Sequence, residues 1–232
     1  MNFVDVAVPS PLRSAFTYRN NTSENLVGRR VLVEFGRRKL IGVVTADRDD
    51  YKGEYKIKDI LHTLDHDPIF SKTQLLTIKK IADHYMHPIG MVLEAFLPTM
   101  LRKAKTQLDL GKYSSDVCDL DINDDNFHEL TSDQKSCLEK IKNDDRESLL
   151  FGITSSGKTE IYKHYIKLLL QEGKSALVLV PEIFLTPQIY DDFKKNFNDS
   201  VYIHHSGLTE LQRFKIWLVA QDDKPKIIIG TR

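Results

Sequence analysis

Eight consecutive residues, Gly152-Ile153-Thr154-Ser155-Ser156-Gly157-Lys158-Thr159, set two glycines, a lysine and a hydroxyl at the G-x-x-x-x-G-K-[ST] spacing of a phosphate-binding loop. Each residue type has a task in that chemistry. Gly157 lets the backbone curl so that its amides face phosphate oxygens, Lys158 is long enough to reach the β and γ phosphates, and the Thr159 hydroxyl can hold Mg2+. Lys158 and Thr159 are the candidate catalytic pair, with Thr159 the candidate metal ligand. Gly152, Thr154, Ser155 and Ser156 complete the candidate phosphate-binding loop.

Such a loop binds phosphate only where it joins a strand to a helix N-terminus. The flanking sequence meets that condition. Residues 148–153 are a short apolar run of buried-strand type, and Ile161, Tyr165, Leu168 and Leu169 then recur at helical spacing. Gly173 ends the helix, and 175–180 is a second apolar run. A helix through Phe197, a strand over 200–205, a helix opened by the capping box Thr209/Gln212 and running through Ala220, and a strand over 226–229 follow. Strands alternating with helices predict a parallel sheet with right-handed crossovers, whose ligand-binding loops gather at the strand carboxyl ends.

The first 65 residues read differently. Short runs at 3–8, 15–18, 30–35, 40–45 and 56–64 predict antiparallel strands and a small barrel-like fold. The turn over 36–39 carries Arg37, Arg38 and Lys39, which suit phosphate contacts and suit a solvated turn equally well. Ser71 and Gln74 form a capping box for a helix to Tyr85, with Leu75, Ile78 and Ala82 on one face, and 91–97 adds a short helix. His84 and His87 lack a companion carboxylate or cysteine set and read as a helix-end pair rather than a metal site.

Net charge is zero in 232 residues, with 33 basic and 33 acidic side chains, but the charge is unevenly spread. Residues 1–105 carry 17 Lys and Arg against 12 Asp and Glu, residues 106–147 carry 5 against 12, and residues 148–232 carry 11 against 9. Residues 106–130, acidic and poor in large apolar groups, predict a solvated linker between domains at 1–105 and 131–232. The spacing of Asp119, Asp121, Asn123 and Asp125 lacks the glycine and closing glutamate of a calcium loop. Leu130 to Gln134 opens the next helix, with Thr131 or Ser132 as its cap. Cys118 and Cys137 read as free thiols, without zinc spacing. No apolar run approaches the roughly 20 residues of a membrane span, and the N-terminus lacks signal-peptide character, so the expected location is cytoplasmic, without a membrane partner.

Four separated stretches, Leu130 to Gln134, Gly152 to Thr159, Pro181 to Gln188 and Gly230-Thr231-Arg232, resemble the first motor lobe of superfamily 2 helicases. The wording Gly-Ile-Thr-Ser-Ser-Gly-Lys-Thr-Glu and Leu-Val-Pro-Glu-Ile-Phe-Leu-Thr-Pro-Gln, followed by His205-Ser206-Gly207-Leu208, is similar to the primosomal protein N′ (PriA) family of replication-restart helicases. Val8-Pro9-Ser10-Pro11-Leu12, Phe16-Thr17-Tyr18, Val33-Glu34-Phe35-Gly36, Ile41-Gly42-Val43-Val44 and His84 to Gly90 resemble that family's domain for DNA 3′ ends. The resemblance implies a partial RecA-like lobe over 131–232, in which Gln134 reads adenine and Glu160 extends the ATP site. It implies that Pro181 to Gln188 and Gly230 to Arg232 contact single-stranded DNA, with Thr186, Gln188, Thr231 and Arg232 as candidates. It also implies a pocket for a terminal 3′ nucleotide at Phe16, Thr17, Gly36 and Lys58, beside Arg37. Taken singly, each pocket residue also suits barrel packing or a solvated surface.

The implied activity is an ATP- and Mg2+-dependent 3′-to-5′ DNA helicase that recognises stalled forks and reloads the replication machinery at the nucleoid. Its implied partners are forked and single-stranded DNA with a 3′ end, single-stranded DNA-binding protein and other primosome proteins. Three departures qualify the expectation. Position 17 is threonine where the family commonly has aspartate. Residues 106–130 are too few for the family's winged-helix domain. The chain ends before the Asp-Glu pair, the second lobe and the family's zinc-binding cysteines, so by itself it is expected to bind rather than to unwind. A non-catalytic module for DNA 3′ ends and nucleotide is therefore the second reading, and a small-molecule P-loop kinase, which has no use for residues 181–188, is a third.

Overall fold

The computed structural model describes residues 2–51, 53, 55–103, 109–113, 118–144, 146–153, 156–181 and 186–231. Thr154, Ser155 and Arg232, together with 182–185 of the predicted DNA-contact stretch, lie outside the described residues, as does the side chain of Thr186. Two compact units divide the chain, Met1–Lys112 and Tyr113–Arg232.

The first unit is a curled antiparallel sheet of β1 (Asn2–Ala7), β2 (Phe16–Asn20), β3 (Arg30–Phe35), β4 (Arg38–Arg48) and β5 (Ile60–Thr63), in the order β2-β1-β4-β3-β5. Alternation explains its core. Val4 and Val6 on β1, Tyr18 on β2, Val31 and Val33 on β3 and Val44 on β4 all point inward and pack together. The edge strands approach each other where the Arg19 amide donates to the Lys58 carbonyl at 2.9 Å, and an isolated bridge joins Arg19 to Asp59. The short strands predicted a small barrel; the sheet curls only to a half-barrel, with one bridge between its edges in place of a full ladder. The β3–β4 hairpin pairs Phe35 with Arg38, leaving a two-residue loop, Gly36-Arg37. Only Gly36 has positive φ (59°), the type II′ arrangement that needs glycine first.

Helices α1 (Lys72–His84), α2 (Ile89–Phe96) and the short α3 (Thr99–Lys103) follow. Ser71 and Gln74 make the predicted capping box, and Leu75, Ile78 and Ala82 are the buried face of α1. The α2 N-terminus rides directly on the end of β1, because a Cβ at Gly90 would lie 1.8 Å from the Val8 carbonyl oxygen.

The second unit contains α4 (Ser132–Lys142), α5 (Lys158–Gln171), β6 (Ala176–Val180), α6 (Thr186–Phe197), β7 (Val201–His204), α7 (Glu210–Gln221) and β8 (Ile227–Thr231). Its strands form a parallel sheet ordered β6-β8-β7. Ile227 and Ile229 of β8 meet Val201, Phe193, Phe197, Ile166 and Leu170 in one core. Thr131 and Thr209 cap α4 and α7 in complete capping boxes with Gln134 and Gln212.

Two expectations need correction. Residues 148–153 form no strand: Leu149, Phe151 and Ile153 are 90%, 91% and 80% exposed, because this run has no sheet neighbour among the described residues. An apolar run becomes a strand only when a ladder satisfies its amides. The second correction concerns the acidic stretch. Leu120, Ile122 and Phe127 pack against the second unit's core, and the Asn123 amide donates to the Asn196 carbonyl at 2.7 Å. Asp119, Asp121 and Asp124 meet Lys224, Asn198 and Lys167 at 3.0, 2.8 and 2.7 Å. The described residues 118–130 are therefore part of the second unit rather than a solvated linker. Charge counting missed this because the complementary lysines are far away in sequence.

Candidate functional site

Gly157 is the N-cap of α5 with φ 79°, the left-handed conformation that glycine adopts without strain. It turns the chain so that the helix N-terminus, which favours anions, opens toward the loop. Lys158 begins the helix and folds back over the loop, its Nζ donating to the carbonyls of Gly152 and Ile153, each at 2.7 Å, with Ser156 Oγ at 3.5 Å. The ammonium is thus held among Gly152, Ile153 and Ser156. Thr159 is exposed on the first turn of α5.

Gln134 reaches this loop from α4. Its Oε1 accepts the Thr131 amide at 2.9 Å, and its Nε2 donates to the Ser156 carbonyl at 3.1 Å. A Cβ at position 157 would lie 2.3 Å from that Nε2. The structure therefore brings Gln134, Gly152, Ser156, Gly157 and Lys158 together, and Thr159 follows on the first turn of α5. Glu160 points elsewhere: Oε1 accepts the His128 amide at 3.1 Å and Oε2 faces Lys163 at 3.6 Å. The expectation that it adds to the phosphate loop is replaced by a role between α5 and the segment before α4. Lys163, only 3% exposed, is also paired with Asp192 at 2.7 Å. A buried ammonium of this kind persists only with such partners, and the apolar periodicity of α5 gave no sign of it.

The parallel register aligns the carboxyl ends of β6 and β8, with Val180 beside Thr231, and pairs His204 of β7 with Gly230. Gln188 is exposed on the first turn of α6 and Thr231 is half-buried. A Cβ at Gly230 would sit 3.1 Å from the His204 carbonyl. Sequence reading passed over His204. Burial first, then the Arg213 guanidinium and His205, hold its imidazole below the usual histidine range.

In the first unit Phe16 packs edge-on against Phe35, with centroids 4.8 Å apart, at the end of the sheet that bears Gly36. Lys58 Nζ donates to the Gly36 carbonyl at 3.1 Å and lies 3.4 Å from Glu34. Phe16, Gly36 and Lys58 thus share the hairpin end, with Arg37 exposed at its tip. Thr17 does not join them. Neighbouring residues of a strand face opposite sides, and the Thr17 hydroxyl donates to Asp5 Oδ1 at 2.9 Å while Arg48 holds Asp5 Oδ2 at 2.7 Å. A cleft of about 790 Å³ opens on that other side, between Asp5, Thr45 and Asp47 of the sheet and Lys72, Leu76 and Lys79 of α1. Among the described residues no group of three or more His, Cys, Asp or Glu side chains is placed to hold a metal, and no helix is long and apolar enough to cross a membrane.

Fold and site define a two-part chain: a curled antiparallel unit with an aromatic and cationic hairpin end, and a parallel α/β unit with a phosphate-type loop. The family model described as a 3′ DNA-binding domain (3′BD) matches residues 5–98, and that of the res subunit of Type III restriction enzymes matches 127–232. Replication restart protein PriA of Treponema pallidum is 30% identical over 240 residues, covering 99% of this chain and 36% of that protein. PriA of Haemophilus influenzae is 30% identical over 307 residues, covering 100% and 42%. PriA of Bacillus subtilis is 39% identical over 108 residues, covering 44% and 13%. The chain belongs to the PriA family of replication restart proteins. It spans about two fifths of the length of the Treponema and Haemophilus relatives.

Proposed function

We propose that the chain supplies the DNA 3′-end reader and part of the nucleotide-binding lobe of an ATP-dependent 3′-to-5′ DNA helicase of replication restart. The observation that carries this reading is the direct contact of Gln134 with the phosphate-type loop, its Nε2 bonded to the Ser156 carbonyl beside Lys158. A base-reading amide from α4 and a phosphate-reading ammonium meeting at one loop suit a purine nucleotide better than a bare phosphate ester.

Lys158 would exchange its loop carbonyls for the β and γ phosphates, and the exposed Thr159 hydroxyl would hold Mg2+. Magnesium suits this spot because it is commonly held by few protein oxygens together with phosphate oxygens. When bound, the ion neutralises charge on the phosphates. The aligned strand ends around Gln188 and Thr231 would take the backbone of single-stranded DNA. The hairpin end would take the terminal nucleotide, with Phe16 for stacking, Lys58 for phosphate and the side-chain-free Gly36 for close approach. Residues 5–98, matched by the 3′ DNA-binding model, support this half of the reading. Forked DNA and other restart proteins are the proposed partners, at the nucleoid.

A second reading, a module that holds DNA 3′ ends and nucleotide without turnover, is favoured by the match of residues 5–98 to a 3′ DNA-binding domain. Two measurements separate these readings. Forked DNA ending in a 3′-hydroxyl should bind more tightly than the same fork ending in a 3′-phosphate, and equal affinity would remove the end-reading pocket. DNA-stimulated ATP turnover that disappears in Lys158→Ala would favour the motor over the module. ATP binding without turnover, lost in the same variant, would favour the module.

A further inference from the structure

Glu160 and His164 of α5 grip the backbone of one residue, His128, at its amide and its carbonyl. The carboxylate of Glu160 accepts the His128 amide at 3.1 Å, while His164 Nε2 lies 3.0 Å from the His128 carbonyl, where it donates. The neighbouring residue is held as well. The ring of Phe127 lies edge-on to His164 at 5.1 Å and to Phe197 at 5.5 Å, with Lys167 Nζ over it at 4.9 Å. The clamp is itself stiff. The Glu160 side chain is only 12% exposed, and its second oxygen faces the buried Lys163, which Asp192 anchors at 2.7 Å.

The position of this clamp matters. His128 stands three residues before Thr131, the cap of α4, and six before Gln134. Glu160 stands one residue after Thr159. The backbone leading to the base-reading amide is therefore fastened to the helix turn that carries the phosphate-reading side chains. An unclamped segment could slide α4 along α5 and leave the loop intact while moving Gln134 off its purine edge. Orientation errors on the scale of 1 Å are enough to spoil such a contact.

We infer that Glu160 is a positioning residue for purine discrimination: it holds the Phe127–Thr131 segment on α5 so that Gln134 is presented to the base at a fixed distance from Lys158. The inference rests on the reading of Gln134 as the adenine contact. It gives Glu160 no phosphate or metal to bind.

The test compares mant-ADP, mant-GDP and tripolyphosphate binding to the 232-residue chain. The unaltered chain should prefer mant-ADP to mant-GDP. Glu160→Ala should lower that preference by about ten-fold, the worth of one well-placed hydrogen bond, while tripolyphosphate affinity stays within about two-fold. Glu160→Gln keeps a carbonyl that can accept the His128 amide and should keep the preference. Hydrogen exchange at the His128 amide should quicken in Glu160→Ala and not in Glu160→Gln, with circular dichroism unchanged in both. If Glu160→Ala weakens all three ligands equally, or leaves the preference and the His128 exchange untouched, the inference is wrong. If the unaltered chain binds tripolyphosphate but shows no purine preference, the reading of Gln134 fails first and the inference falls with it.

Discussion

Gly157 is where two requirements meet in one residue. Its φ of 79° is a conformation that costs an L-residue about 1–2 kcal/mol, and a side chain there would press on Gln134 Nε2. Gly157→Ala should therefore reduce mant-ADP affinity by about ten-fold or more while circular dichroism stays unchanged. Both glycines and the lysine were legible in the octamer, whereas the Gln134 contact was legible only through family resemblance. Tyr18 makes a second residue-scale case. Burial, assisted by Glu34, pushes its phenol up to about 12, and its hydroxyl donates to the Glu34 carbonyl at 3.0 Å. Because the native pKa lies above the unfolded value near 10, this contribution is complete below pH 10 and is lost as pH rises toward 12. The difference in urea midpoint between the unaltered chain and Tyr18→Phe should shrink over that interval; a constant difference would show that the phenol titrates normally.

At the scale of elements, the capping boxes at Ser71, Thr131 and Thr209 show how local signals carry through. Each is a hydroxyl followed three residues later by glutamine, and the geometry involves only one helical turn. Element contacts are less local. Gly90 lets α2 sit against the Val8 backbone, and an added Cβ would overlap that carbonyl at 1.8 Å. Since neither partner is a flexible side-chain end, Gly90→Ala should cost about 1–3 kcal/mol, read as a lower urea midpoint. The 148–153 run shows the opposite outcome. Its composition suits a buried strand, but Leu149 and Phe151 remain exposed, because strand formation depends on a neighbour and not on the run alone.

Across the molecule, long-range polar ties decide what the patterns leave open. Arg30 of β3, 0% exposed, is bound to Asp65 at 2.6 Å and donates to the Leu101 carbonyl of α3, joining sheet and helix in the first unit. Asp65→Asn leaves a buried guanidinium without its counter-charge and should destabilise this unit by about 3–5 kcal/mol in denaturant titration. Replacing both partners with Arg30→Met and Asp65→Leu should cost less than the single change, since it removes the buried charge as well as its partner. The same principle explains residues 118–130, whose acidic groups find lysines that lie between 43 and 105 positions along the chain.

What the sequence by itself determined was whatever repeats over one turn or one pleat: the caps, the inward valines of the half-barrel, the alternation of strands and helices, and the phosphate-type octamer. Backbone geometry imposes those periods within a few residues. Tertiary structure alone decided which distant groups share a surface. It separated Thr17 from Phe16 by strand parity, turned Glu160 from the phosphate loop to the peptide of His128, and drew the acidic segment onto the second unit. Such pairings depend on where the chain returns, and a linear charge or hydropathy pattern does not encode that return.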